Sequence, residues 1–245
     1  YLDVDVIGLP NNSLPPSLEK YESKEYVNVG TLFEPNFEQI YALKPDLIII
    51  SGRQVDEYAE LSKLAPTLYV DLDPSDYWGS FQHNLRLLGQ IFSRGEMVET
   101  VLKELNNDLV ELNAKVTNSN IKALILMVND GALSVYGTQS RFGFIHQAVG
   151  FAAADQNVED TTHGQNVSFE YLIKTDPDAI FVVDRSAVAG GSISARQTLE
   201  NPLVKMTNAY RNDSIFYLDS HAWYVISGGI TSTKKMLGDL SCVFE

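Results

Sequence analysis

Two stretches of the 245-residue chain repeat one another without a gap. The first runs Phe37-Glu38-Gln39-Ile40, continues Pro45-Asp46-Leu47-Ile48-Ile49-Ile50 and ends Ser51-Gly52-Arg53. The second runs Phe169-Glu170-Tyr171-Leu172, continues Pro177-Asp178-Ala179-Ile180-Phe181-Val182-Val183 and ends Asp184-Arg185. Each copy predicts a short helix, a Pro-Asp turn, a buried parallel strand and an arginine just past the strand's carboxyl end. A duplicated unit of this kind restricts the chain to α/β folds assembled from related halves. In open α/β sheets, ligands bind at the carboxyl ends of the strands. Arg53 and Arg185 are therefore each expected at the mouth of a sheet, an arrangement suited to an anion held between two lobes. The alternative is a common helix–strand unit repeated by chance, with each arginine paired to a local carboxylate.

The remainder of the chain is consistent with two such halves. Asn36 is placed to cap the helix that opens the first copy. Leu47 to Ile50 is a continuous aliphatic strand, Val55 to Ala65 has a helical pattern, and Thr67 to Leu72 predicts the next strand. Ser75 or Asp76 is placed to cap the helical stretch beyond it. The pattern is then helical from Trp78 to Val116, with Gly95 separating two helices. The second carries Val98, Val101, Leu102, Leu105, Leu109, Leu112 and Val116 at amphipathic spacing. About 22 residues would reach about 33 Å, enough to bridge two lobes, although an ordinary peripheral helix has the same periodicity. Beyond it, Ala123 to Val128, Ala179 to Val183 and Ile215 to Leu218 read as strands. Arg141 to Val149 and Ile230 to Val243 read as helices. Residues 1–94 are thus expected as an N-terminal lobe, 95–117 as the inter-lobe helix and 118–245 as a C-terminal lobe. The opening Val4-Asp5-Val6-Ile7-Gly8-Leu9-Pro10 reads as the tail of an element already in progress, so a further strand is expected upstream.

Charge narrows the partners. A formal net charge of -14 disfavours nucleic acid and anionic membrane, both of which reward a basic face. An acidic protein that holds an anion must concentrate cations locally, and arginines in a low-dielectric cleft do so. The single cysteine, Cys242, rules out a disulfide framework within the chain and a Cys-based zinc site. Phosphate-loop, serine-hydrolase and zinc-protease motifs are absent. No nucleophile–base pair stands out, so an enzyme acting on an anionic substrate is the weaker reading.

The segments after the second-half strands should line the cleft. Val128 leads through Asn129-Asp130-Gly131 to Tyr136-Gly137 and Ser140-Arg141-Phe142-Gly143. Val183 leads to Asp184-Arg185, and Leu218 to His221-Ala222-Trp223-Tyr224. Arg141, Arg185 and an aromatic cluster are thus expected on one rim, with Ser140 capping a helix whose positive end adds to it. Guanidinium suits a flat oxyanion-bearing ligand better than ammonium does. His163 stands in a loop and Tyr224 on a facing one. Either residue would ordinarily be read as solvated or packed, but phenolate and imidazole together are donors that suit Fe(III).

The chain resembles the periplasmic ferric-siderophore binding proteins of ABC import systems, the helical-backbone class, and within it the catecholate-binding CeuE/VctP group. The resemblance rests on Asn28-Val29-Gly30-Thr31 through Pro45-Asp46-Leu47-Ile48, Ser140-Arg141-Phe142-Gly143, Thr162-His163-Gly164, Phe181-Val182-Val183-Asp184-Arg185 and Trp223-Tyr224. It implies a class III periplasmic binding protein fold: two Rossmann-like α/β lobes with parallel sheets, joined by a long inter-lobe helix. It implies a non-enzymatic monomer, periplasmic or lipid-anchored, that captures a ferric catecholate siderophore between its lobes and delivers it to an ABC permease dimer. No cofactor would be permanently bound, Fe(III) being cargo within the siderophore. Arg53, Arg141 and Arg185 would face the catecholate oxygens, with Tyr136 and Trp223 lining the site. His163 and Tyr224 would complete the iron's coordination when the siderophore is tetradentate. Glu38 and Glu170 would dock on permease arginines. The same fold carrying haem, cobalamin or another metal complex is the alternative.

Overall fold

The computed structural model describes residues 1–11, 14–159, 161 and 163–244. The chain divides into two compact units. One comprises Tyr1–Asp71 with Asn84–Met97, the other Leu72–His83 with Val98–Glu245.

The first unit begins with β1 (Gly8–Leu9) and β2 (Val27–Asn28), a parallel pair. Helix α1 (Phe37–Leu43) follows, with the Asn36 side chain accepting from the Gln39 N–H at 3.0 Å as the sequence predicts. It stops at Lys44, which takes φ of +50° immediately before Pro45. Proline cannot continue the helical ladder, and it disfavours right-handed helical geometry in the residue before it. Next come β3 (Ile48–Ile50), a 3₁₀ turn (Gly52–Glu57), α2 (Tyr58–Leu61) and β4 (Thr67–Tyr69), which pairs parallel with β3. The helix expected over 55–65 is therefore split between the 3₁₀ turn and one short α-turn. A small core of Ile40, Ile50 and Leu61 joins α1, β3 and α2.

Helix α3 (Tyr77–Ile91) starts from Asp76, whose carboxylate accepts the Gly79 N–H at 2.9 Å. Its residues are shared between the units, the first turns with the second unit and the remainder with the first. Helix α4 (Gly95–Ser119) buries all seven residues of the predicted apolar stripe. From Val98 onward it groups with the second unit. No helix among the described residues is long and apolar enough to cross a membrane.

The second unit is built on a mixed sheet. Strand β5 (Lys122–Asn129) turns straight back into β6 (Ala132–Tyr136). Their two-residue link is Asp130 at φ +47° and Gly131 at φ +84°, the positive-φ pair that tight hairpins require. The chain then passes through α5 (Phe144–Gln147), β7 (Ala152–Ala153), β8 (Gln165–Val167), α6 (Phe169–Thr175) and β9 (Ala179–Asp184). It continues through α7 (Ser186–Ala189), α8 (Ala195–Leu199), α9 (Asn208–Arg211), β10 (Ile215–Tyr217) and α10 (Ile230–Ser241). Spatial order is β10-β9-β5-β6-β8, with β7 also on β5. Strands β10, β9 and β5 run parallel, whereas β6 is antiparallel to both neighbours. Ala123–Val128 and Ala179–Val183 are buried throughout, as expected of parallel strands covered on both faces.

One sequence expectation fails here. Arg141 to Val149 is not a helix; only Phe144–Gln147 is. Phe142, Phe144, Ile145 and Val149 are all fully or nearly fully buried. The segment is thus a buried turn rather than a one-sided helix, and its apolar spacing misleads. Ser140 is buried and accepts the Phe142 N–H instead of capping a helix, so no helix dipole reaches the rim at this point.

Candidate ligand-binding site

The ends of neighbouring strands in the second unit converge on one tyrosine. Arg185 follows β9, and its backbone N–H bonds to the Val128 carbonyl at 2.9 Å, locking the ends of β9 and β5 together. Its side chain donates from Nε to Tyr224 Oη and from Nη1 to Asn129 Oδ1, both at 2.9 Å. Arg141 arrives from the loop after β6. It donates from Nη2 to the Tyr224 carbonyl at 3.0 Å and lays its guanidinium 4.5 Å from the Tyr224 ring centroid. The Arg185 guanidinium lies 5.8 Å from the same centroid. Two permanent cations thus flank one phenol.

Nearby acids point elsewhere. Asp184 accepts the N–H groups of Ala187 and Ala195, and Asp130 those of Ser192 and Ile193. Among the described residues, Arg185 makes no ion pair with a carboxylate; its acceptors are a neutral amide and a phenol. A guanidinium oriented by neutral groups keeps its charge available for an incoming anion.

Tyr136 sits behind this cluster. Burial pushes its phenol up to about 12; Arg141 and Arg185 pull it back and Tyr224 adds to the rise. It is buried, its hydroxyl meeting the Met127 sulfur, so it backs the site rather than facing solvent. His163 is exposed. The pairing of Val135 with Gln165 brings its backbone beside the end of β6, and Gly164, at φ +75°, packs against the Tyr136 ring. Thr162 of the same motif lies outside the described residues.

Trp223 departs from expectation. It is 2% exposed, donates its indole N–H to Asp239 at 3.0 Å and packs near Phe144. The π-helical turn His221–Val225 sends Trp223 into the core and leaves Tyr224 half-exposed, so the tryptophan is a packing residue of the site's support.

In the first unit, Arg53 is exposed in the turn after β3, at the repeat position equivalent to Arg185. Its guanidinium lies 5.0 Å from the Phe33 ring centroid. Glu38 and Glu170 occupy equivalent first-turn positions of α1 and α6, both exposed. Glu170's carboxyl is held below the usual carboxylate range, chiefly by a hydrogen bond with Ser168.

Sequence reasoning places Asn129 in a cleft loop but gives it no role. Its role depends on a partner 56 positions away, and its only local signal is its place at the end of a strand. Asn129→Ala should leave the fold intact, because the residue is only half-buried. It should weaken anion binding about three- to tenfold by freeing the Arg185 fork. Titration of the variant measures this, and wild-type affinity would show that Arg185 needs no such anchor.

The chain belongs to the periplasmic binding protein family Peripla_BP_2, whose profile matches residues 6–222. It is 41% identical over 239 residues to the petrobactin-binding protein YclQ of Bacillus subtilis (strain 168), the alignment covering 98% of this chain and 75% of YclQ. The crystal structure of YclQ matches with a TM-score of 0.93 over 98% of this chain and 84% of that one. The ferric-anguibactin-binding protein FatB of Vibrio anguillarum is 34% identical over 248 residues, covering 98% of this chain and 76% of FatB. The periplasmic catecholate-siderophore binding protein VctP of Vibrio cholerae is 36% identical. Its structure matches with a TM-score of 0.90 over 96% of this chain and 84% of VctP.

Proposed function

We propose that this chain is the substrate-binding component of an ABC iron-uptake system. Outside the cytoplasmic membrane, free in the periplasm or held by a lipid anchor, it captures a ferric catecholate siderophore and hands it to the permease. It is a carrier and not an enzyme. The observation that carries this reading is the pair of arginines around Tyr224, with Arg185 oriented by neutral acceptors. A ferric catecholate complex is a flat-faced polyanion of phenolate oxygens, and guanidinium forks match it in charge and shape. Relatives named for binding petrobactin, ferric anguibactin and catecholate siderophores support the same cargo class.

In this reading Arg53, Arg141 and Arg185 meet the anionic oxygens. A tetradentate siderophore leaves iron positions open, which Tyr224 as phenolate and His163 as imidazole fill. Arg185 already donates to Tyr224 Oη, so the phenol oxygen is held in place at the site. Glu38 and Glu170, at matching places in the two copies of the repeat, meet arginines on the permease.

The direct test titrates the protein with ferric bis-catecholate, ferric tris-catecholate, a ferric hydroxamate and haem, following tryptophan fluorescence. Sub-micromolar quenching by the catecholates is expected. Silence toward every ferric complex, or a preference for haem, overturns the reading. In Tyr224→Phe the phenolate-to-iron absorption of the ferric bis-catecholate complex should shift. An unchanged spectrum would remove Tyr224 from the coordination sphere.

A further inference from the structure

Phe33 is a large apolar side chain that the first unit holds in the open. It is 70% exposed, yet its loop is tightly built. Thr31 Oγ1 accepts the N–H groups of Phe33 and Glu34 at 3.2 and 3.0 Å, and the Thr31 N–H returns to the Glu34 carbonyl at 3.0 Å. Gly30 enters the loop at φ +108°, its N–H held by Asn28 Oδ1 at 2.8 Å. A Cβ at Gly30 would fall 2.3 Å from the Glu34 carbonyl oxygen, so the loop's entry accepts no side chain. Gln54, next to Arg53, donates its side-chain amide to the Leu32 carbonyl. The loop bearing Phe33 is thereby tied to the turn bearing Arg53, whose guanidinium sits over the Phe33 ring.

We infer that Phe33 and Arg53 together form a preformed aromatic–cationic face that contacts an aromatic ring of the bound chelate, making Phe33 a specificity-determining residue for catecholates. The inference rests on the siderophore-binding reading above. A catecholate ring is both flat and electron-rich. It can pack against the Phe33 edge or face while its oxygens meet Arg53, so one patch satisfies both of its properties. Holding the loop that carries Phe33 in place beforehand lowers the ordering cost of binding. A protein partner is the competing occupant, since the exposed Glu38 and Tyr41 lie on the neighbouring helix. Charge decides against it. A permease surface that meets glutamates is cationic, and Arg53 over Phe33 would repel it, whereas the same arginine attracts an anionic chelate.

The test measures binding of ferric 2,3-dihydroxybenzoate to the purified wild type and to Phe33→Ala, Phe33→Leu and Phe33→Trp, alongside iron uptake in cells carrying each variant. Phe33→Ala and Phe33→Leu should each weaken binding about tenfold, and Phe33→Trp should restore it. Wild-type binding by Phe33→Leu overturns the inference, because bulk without a ring would then suffice. Unchanged binding with lost uptake also overturns it, in favour of permease docking. A wild type whose binding depends on Arg185 and not on Phe33 defeats only this inference. A wild type that binds no ferric complex removes the functional reading, and this inference with it.

Discussion

Arg185→Ala is expected to weaken binding of a ferric catecholate about 10- to 100-fold, the loss that comes from removing charge-assisted hydrogen bonds worth roughly 1.5–3 kcal/mol. Arg185 contributes more than a charge. Nε and Nη1 are fixed by Tyr224 and Asn129, so the guanidinium plane is oriented before any ligand arrives. Arg185→Lys keeps the charge but has no fork with which to reach both acceptors. It should recover only a small part of the lost affinity. Removing the side chain also leaves Asn129 Oδ1 and Tyr224 Oη without a donor, which should cost about 1 kcal/mol of stability, given that both are half-exposed to water. Titration and a urea melt on the same preparations separate the two effects. If the alanine variant bound within about twofold of wild type, the arginine pair would not be the gripping element.

A larger effect on the fold itself is expected from Phe181→Ala, about 3–5 kcal/mol of unfolding free energy. Phe181 is fully buried in the middle of β9. It makes an edge contact with Phe151 at 4.9 Å and a tilted one with Phe216 at 5.8 Å. Strand β9 is bonded on both sides, to β5 and β10, so backbone collapse cannot fill the space that the ring leaves. Whole-domain stabilities run about 5–15 kcal/mol, and the variant should sit close to its unfolding transition. Because β9 delivers Arg185, ligand affinity should fall with stability. A urea midpoint shift equivalent to less than about 1 kcal/mol would mean that this face of the sheet repacks freely.

The repeat and the long helix are legible because their signals are local. Helices α1 and α6 begin after Asn36 and Ser168, at matching positions of the repeat, and both end at a left-handed residue, Lys44 or Asp176, immediately before a proline. All seven residues of the α4 stripe are buried, since a period near 3.6 can serve a one-sided helix and little else. The Asp130-Gly131 hairpin is equally local, yet sequence reading takes its residues only as a cleft loop. The 141–149 segment misleads for the opposite reason: burial from every side erases the contrast on which periodicity depends.

Neighbouring residues along the chain, Trp223 and Tyr224, show where sequence reading stops. One turn sends the first inward to Asp239 and the second outward to Arg185, and composition cannot say which goes where. The order of amino acids is enough to establish the duplicated helix–strand unit, the α/β class, the amphipathic long helix and the arginines at the strand ends. It takes the folded chain to bring Arg141, Arg185, Asn129 and Tyr224 together and to orient Arg185 by neutral acceptors. Strand order is the cause: β9 lies between β5 and β10, so segments far apart in the chain finish side by side. Pairings of that range arise from how sheets assemble rather than from any local preference.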